Sequence, residues 1–309
     1  MNRKFLCFSI LFISFFSCKK DVKLETVNNN NAPYYDKVPR VKIENYVNRL
    51  YIDLIGREAF DAELKEETDK LIENNLSIPT RDLLILKLQT DKTYRPGDSS
   101  FCIAYNKRLY DLLCVRLCEG FGEPDFMYLR GLTEYACKVD SLNGNWASFY
   151  EGKRQSKECL WAARARWDFM NDSFKIDTYC SRLVNNVVTF NFTQSYMGNE
   201  DNTIKYTFND FLFRPYTQNE FLISREMILY GKPGILFGRS GHSKGDYFDI
   251  VCHSQEFYEG TIKWLYKTFI SRYPSTDETM SAMNIIYGEN KDIIKVQRNI
   301  LKSDEYANF

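Results

Sequence analysis

An apolar stripe of helical spacing occurs three times in this chain, each time followed by the same two charges. Val47, Leu50, Tyr51, Leu54 and Ile55 stand at i, i+3, i+4, i+7 and i+8, which lines one face of an α-helix. Ile204, Thr207, Phe208, Phe211 and Leu212 repeat that spacing, as do Ile262, Leu265, Tyr266, Phe269 and Ile270. An arginine follows each stripe and a glutamate follows six residues later: Arg57 and Glu63, Arg214 and Glu220, Arg272 and Glu278. An arginine just past a helix meets the negative end of its dipole, and a glutamate at the third position of the next helix reaches back to the turn. Such a pair spans the bend and fixes its angle. It is worth about 0–1 kcal/mol if exposed, so its value is geometric. Thr217 and Ser275, three residues before their glutamates, complete a capping box; Phe60, beside Asp61, holds that place in the first copy. The pattern predicts a mainly α fold of three repeated helix-loop-helix units.

Each unit also closes alike, on a polar or acidic cluster followed by an aromatic: Thr90-Asp91-Lys92-Thr93-Tyr94, Ser254-Gln255-Glu256-Phe257 and Ser303-Asp304-Glu305-Tyr306. Leu50-Tyr51-x-x-Leu54-Ile55-Gly56-Arg57 with Glu63 resembles the "LGR-P-x-x-x-E" helical domains of unknown function. Those occur in bacterial surface proteins and beside planctomycete cytochromes. The closing Leu301 to Tyr306 and Phe309 look like the end of phycobilisome linker domains. The resemblance implies a helical scaffold that holds other proteins. It transfers no catalytic residue and leaves 95–203 unclaimed.

The N-terminus carries an address. Arg3 and Lys4 precede an apolar run from Phe5 to Phe16, then Ser17 and Cys18. A basic start, a short apolar core and a small residue before the cut make a secretory signal too short to span a bilayer. A cysteine at the first mature position adds lipid attachment through its thiol. Phe15 and Phe16 stand where the common box has leucine and a small residue, and this relaxed form resembles Bacteroidota lipoproteins. Lys19 in place of aspartate directs the chain to the outer membrane, and Cys18-Lys19-Lys20-Asp21 looks like a cell-surface tag. The next twenty or so residues, with Asn28 to Asn31, Pro33 and Pro39, read as a tether spanning about 25 Å.

Composition removes some functions. Basic and acidic residues balance at 41 each, so no basic excess exists to displace counterions from nucleic acid. Aromatics reach 16%, which suits a dense core or an aromatic contact surface. Beyond Cys7 and Cys18, the cysteines are Cys102, Cys114, Cys118, Cys137, Cys159, Cys180 and Cys252. An odd count without framework spacing reads as buried free thiols.

Chemistry has few places to reside. The glycine-rich stretch Gly231 to Gly245 lacks the Gly-Lys-Ser/Thr frame of a phosphate loop and reads as a mobile or partner-contact loop. His242 and His253, with Asp246, Asp249 and Cys252, match no zinc spacing, and no nucleophile elbow surrounds Ser243 or any other serine. Trp146, Trp161 and Trp167 are candidate ligand contacts, because aromatic planes beside arginine stack on sugar rings; core or interface roles compete with that reading.

The sequence therefore predicts a signal peptide at 1–17 and a tether lipidated at Cys18 over 18–40. Helical unit 1 follows at 41–94, then a less regular aromatic-rich insert at 95–203. Unit 2 with its glycine loop occupies 204–257, and unit 3 occupies 258–309. The expected function is a non-enzymatic outer-membrane lipoprotein, a structural or adaptor subunit of a cell-envelope protein complex, with no metal or cofactor and no nucleic-acid partner. The alternative is a glycan- or peptide-binding accessory lipoprotein of an outer-membrane uptake system. An enzyme using the middle segment and the glycine loop is a third reading.

Overall fold

The computed structural model describes residues 38–118, 120–170, 175–184 and 200–309. The signal peptide, Cys18 and nearly all of the tether lie outside them. The described chain is mainly α. Its helices are α1 (Arg40–Ile55), α2 (Asp61–Glu73), α3 (Ile78–Thr90), α4 (Phe101–Cys118), α5 (Glu123–Leu142), α6 (Trp146–Asp168) and α7 (Ile176–Leu183). After them come α8 (Glu200–Tyr206), running into a π-turn at Thr207–Phe211, then α9 (Gln218–Tyr230) and a hairpin of β1 (Gly234–Leu236) and β2 (Arg239–Gly241). The last helices are α10 (Lys244–Cys252), α11 (Gln255–Ile270), α12 (Thr276–Gly288), α13 (Ile293–Leu301) and α14 (Asp304–Ala307). No helix among the described residues is long and apolar enough to cross a membrane.

The three apolar stripes face the core. Val47, Leu50, Tyr51 and Leu54 are fully buried on α1, as are Ile262, Leu265 and Phe269 on α11, and Ile204, Phe208 and Phe211 between α8 and the π-turn. The middle stripe differs in backbone, because the π-turn widens the helix where the other two stay α-helical. Both ends of the described chain meet in this core. Tyr46 donates to the Leu301 carbonyl at 3.2 Å and packs edge-on to Tyr306 and Phe309, while Tyr306 donates to Asp53 at 2.8 Å.

A buried arginine joins the middle to the end. Arg116 on α4 donates to the carbonyls of Asp210 and Phe211 at 3.3 and 3.2 Å and to the Thr261 hydroxyl at 3.1 Å. Its charge thus sits at the C-terminal end of the π-turn, where free carbonyls concentrate negative charge. Desolvation holds its pKa down at about 10.

Two expectations are corrected. The segment 95–203 is not irregular: α4, α5, α6 and α7 cover most of its described residues. The glycine-rich stretch is packed and not loop alone. Gly234 pairs with Gly241, and Phe237 and Gly238, both at positive φ, make the two-residue turn. A side chain at Gly241 would meet Asp246 at 2.6 Å and Ile250 at 3.0 Å, so the glycine lets the hairpin lie on α10.

Candidate functional site

The arginine–glutamate pairs form three clasps of one design. A left-handed residue ends the preceding helix: Gly56 at φ 87°, Phe213 at φ 55° and Ser271 at φ 57°. The next residue, the arginine, turns back and grips its glutamate through two parallel bonds. These measure 2.8 and 3.0 Å for Arg57–Glu63, 3.0 and 2.5 Å for Arg214–Glu220, and 2.8 and 2.6 Å for Arg272–Glu278. Each arginine also donates to the carbonyl of the residue after it, at 2.7, 2.9 and 2.9 Å. Each glutamate accepts the backbone N–H three residues before it, from Phe60, Thr217 and Ser275. The Thr217 and Ser275 hydroxyls return the bond. Phe60 has no acceptor to offer; its ring lies under the Arg57 guanidinium at 3.9 Å instead.

A second carboxylate completes every clasp: Asp98 on Arg57, Glu256 on Arg214 and Glu305 on Arg272. The closing clusters read around Glu256 and Glu305 supply that partner. The first cluster does not, because Asp91 turns to Arg95 and Thr93, and the closure sits at Asp98. The clasps grade in exposure, the arginine side chains being 20%, 29% and 36% exposed in chain order. The Arg272 bond, and to a lesser degree the Ser275 bonds, hold Glu278 down at about 2 against the opposing push of desolvation. Every arginine in the clasps has two carboxylates within hydrogen-bond reach.

The histidine-centred residues separate. His242 Nδ1 lies 3.2 Å from Asp246, whose carboxylate also accepts the His242 and Ser243 amides. Ser243 caps α10, its hydroxyl accepting the Asp246 amide. His253 contacts Asp249 and lies 3.7 Å from Asp177, while Cys252 turns inward to Cys180. Among the described residues no group of three His, Cys, Asp or Glu side chains is placed to hold a metal. Asp177, fully buried, accepts from Tyr258 at 2.7 Å, from the Thr178 amide at 2.6 Å and from Lys291. It ties α7 to α11 and to the loop before α13.

The three tryptophans share α6 but no surface. Trp146 opens the helix and Trp161 comes about 22 Å further along it, at 1.5 Å per residue. Trp161 is pinned, donating to Asp168 at 3.0 Å under the Arg182 guanidinium at 3.9 Å. Trp167 is half-exposed and lines a cleft of about 440 Å³ with Asp98, Lys107, Arg108 and Asp111.

An exposed apolar face lies elsewhere, on α5. One face of α5 is buried through Phe126, Leu129, Thr133 and Cys137, and Gly152 lets α6 approach so closely that a side chain there would meet the Cys137 sulfur at 2.6 Å. The opposite face carries Tyr128, Leu132, Tyr135, Val139 and Leu142, which are between 40% and 87% exposed. Their spacing alternates four and three residues, the a/d seam of a coiled coil. The other exposed positions from Met127 to Leu142 are Met127, Gly131, Ala136 and Lys138, and the paired Arg130 and Glu134 side chains, 30% and 41% exposed, flank the face. A groove of about 460 Å³ runs beside it between α5 and α6, lined by Leu132, Ala136, Ser148 and Gln155 and by the carboxylates of Asp140 and Glu151. Trp146 and Tyr150, one turn apart at the start of α6, are exposed as well, on the side of that helix opposite Gly152 and Gln155, which face α5. The chain matches no protein-family model, and no curated protein or solved structure gives a match to it.

Proposed function

We propose that this chain is a non-enzymatic, lipid-anchored structural subunit of a cell-envelope protein complex, moored to the outer membrane through Cys18 and docking a helical partner on α5. The observation that carries the reading is the exposed heptad stripe from Tyr128 to Leu142. Monomeric proteins rarely leave so continuous an apolar face in water. The stripe runs about 21 Å and, with Met127, exposes on the order of 600 Å², taking about 150–250 Å² for a fully exposed large side chain. A standard interface needs about 800 Å² from each partner, so the stripe supplies most of one. Period-seven spacing selects a helix over a strand or a loop as the occupant.

The clasps serve this reading as joints that hold helix pairs at fixed angles. Copies of one joint at three points support descent from a repeated unit. The glycan-binding alternative rests on Trp167 alone, since Trp146 and Trp161 face elsewhere.

The experiment is purification of the tagged full chain from membranes in mild detergent. Stoichiometric partners are expected with the wild type, and their loss with Leu132→Asp. A wild-type chain that elutes alone at monomer mass contradicts the proposal. Incorporation of labelled palmitate, abolished by Cys18→Ser, tests the anchor separately.

A further inference from the structure

The structure brings Cys180 and Cys252 into sulfur–sulfur contact at 3.2 Å. Both side chains are fully buried, one on α7 and the other at the end of α10. They form the second of two rungs between these elements. The first joins Asp177, three residues before Cys180, to His253, the residue after Cys252. The two elements thus approach each other at a second point beside the thiols.

We propose that Cys180 and Cys252 form a disulfide when the chain folds in the presence of a dithiol–disulfide oxidant. A disulfide needs sulfurs at about 2.05 Å, so a closure of roughly 1 Å from contact completes the bond. The step balances by thiol–disulfide exchange. One thiolate attacks the oxidant's disulfide and expels a thiol. The second then attacks the mixed disulfide, forming the Sγ–Sγ bond and releasing the other thiol. Two cysteine thiols are oxidised, and the oxidant takes up their two electrons and two protons.

Burial first, then the hydrogen bond to Cys180, pushes the Cys252 thiol well above its usual range. The folded pair is thus a slow nucleophile, and the bond forms during folding and is shielded afterwards. It closes a loop across 72 residues that contains Arg214 and Glu220 of the second clasp. It pins α7 and α10 as a covalent joint where the other clasps are ionic. This inference does not depend on the docking reading.

The test is refolding of the full chain in a glutathione redox buffer, quenching with iodoacetamide in denaturant, and peptide mapping by mass spectrometry without reductant. A peptide linking Cys180 to Cys252 is expected, with two fewer alkylated cysteines than in the reduced chain. Reduction should lower the melting midpoint by about 5–10 °C, and Cys180→Ser should remove that dependence. Full alkylation of both cysteines after refolding, or linkage of either to another cysteine, overturns the proposal. The wild-type map is decisive even if a serine variant fails to fold.

Discussion

Arg57 grips Glu63 with two bonds and Asp98 with a third at 2.5 Å, while its guanidinium lies on the Phe60 ring. It is the least exposed of the three clasp arginines. Removing it leaves two carboxylates facing each other with little water to separate them. Arg57→Ala is therefore expected to cost about 2–3 kcal/mol, against about 1 kcal/mol for the more open Arg272→Ala, with Arg214→Ala between. Urea titration of the three variants checks the order. Arg57→Lys should recover little, because lysine cannot make the parallel pair.

Ser271 holds a left-handed backbone that costs a residue with a Cβ about 1 kcal/mol or more. It is exposed, and nothing packs on it that glycine would forfeit. Ser271→Gly should raise stability by about 1 kcal/mol, or roughly 2–4 °C in the melting midpoint. The equivalent change at Phe213 should not, since that ring packs on the core. Differential scanning calorimetry distinguishes the two.

Acid should open the third clasp. Glu278 is held at about 2 from an ordinary 4.5, so its unfolded form binds a proton at higher pH than the folded form does. The stability it contributes is present above about pH 4.5 and lost as pH falls toward 2. The melting difference between the wild type and Glu278→Gln should be constant above pH 5 and shrink through that window. A difference independent of pH between 5 and 2 would remove the ionic account of the clasp.

The Phe211 carbonyl would lie 2.1 Å from a β-carbon at Gly260, and the same oxygen accepts Arg116. No flexible side chain is available to yield. Gly260→Ala should push α11 from the π-turn, break the Arg116 bond and destabilise by about 3 kcal/mol. Denaturant unfolding gives the value.

The sequence made α1, α11 and the three arginine–glutamate pairs readable because each is local: a stripe, a turn and a cap lie within twenty residues. Asp98 was not readable. It reaches Arg57 from 41 residues away, and only the packing of α4 on α1 brings it there. Within 95–203 the stretch Tyr105 to Cys118 reads as helical, and α4 covers it; α5 was hidden by its own composition. On α5, Phe126, Leu129, Thr133 and Cys137 serve one face while Tyr128, Leu132, Tyr135 and Val139 serve the other, so the two periodicities overlay and look like none. The heptad spacing was present in the letters, but that Phe126 faces inward and Tyr128 outward is settled only by the approach of α6 at Gly152. The contact of Cys180 with Cys252 likewise needs α7 laid beside α10, which no spacing announces.

Docking on α5 is best examined by placing a photoreactive phenylalanine analogue at Tyr135 of the full chain in intact envelopes. Irradiation should give one discrete adduct heavier than the chain, absent when Leu132→Asp is added and absent from the same probe at exposed Lys157 on α6. No adduct above the Lys157 background, an adduct to lipid alone, or one at twice the chain's own mass would contradict an adaptor that holds a helix of another protein.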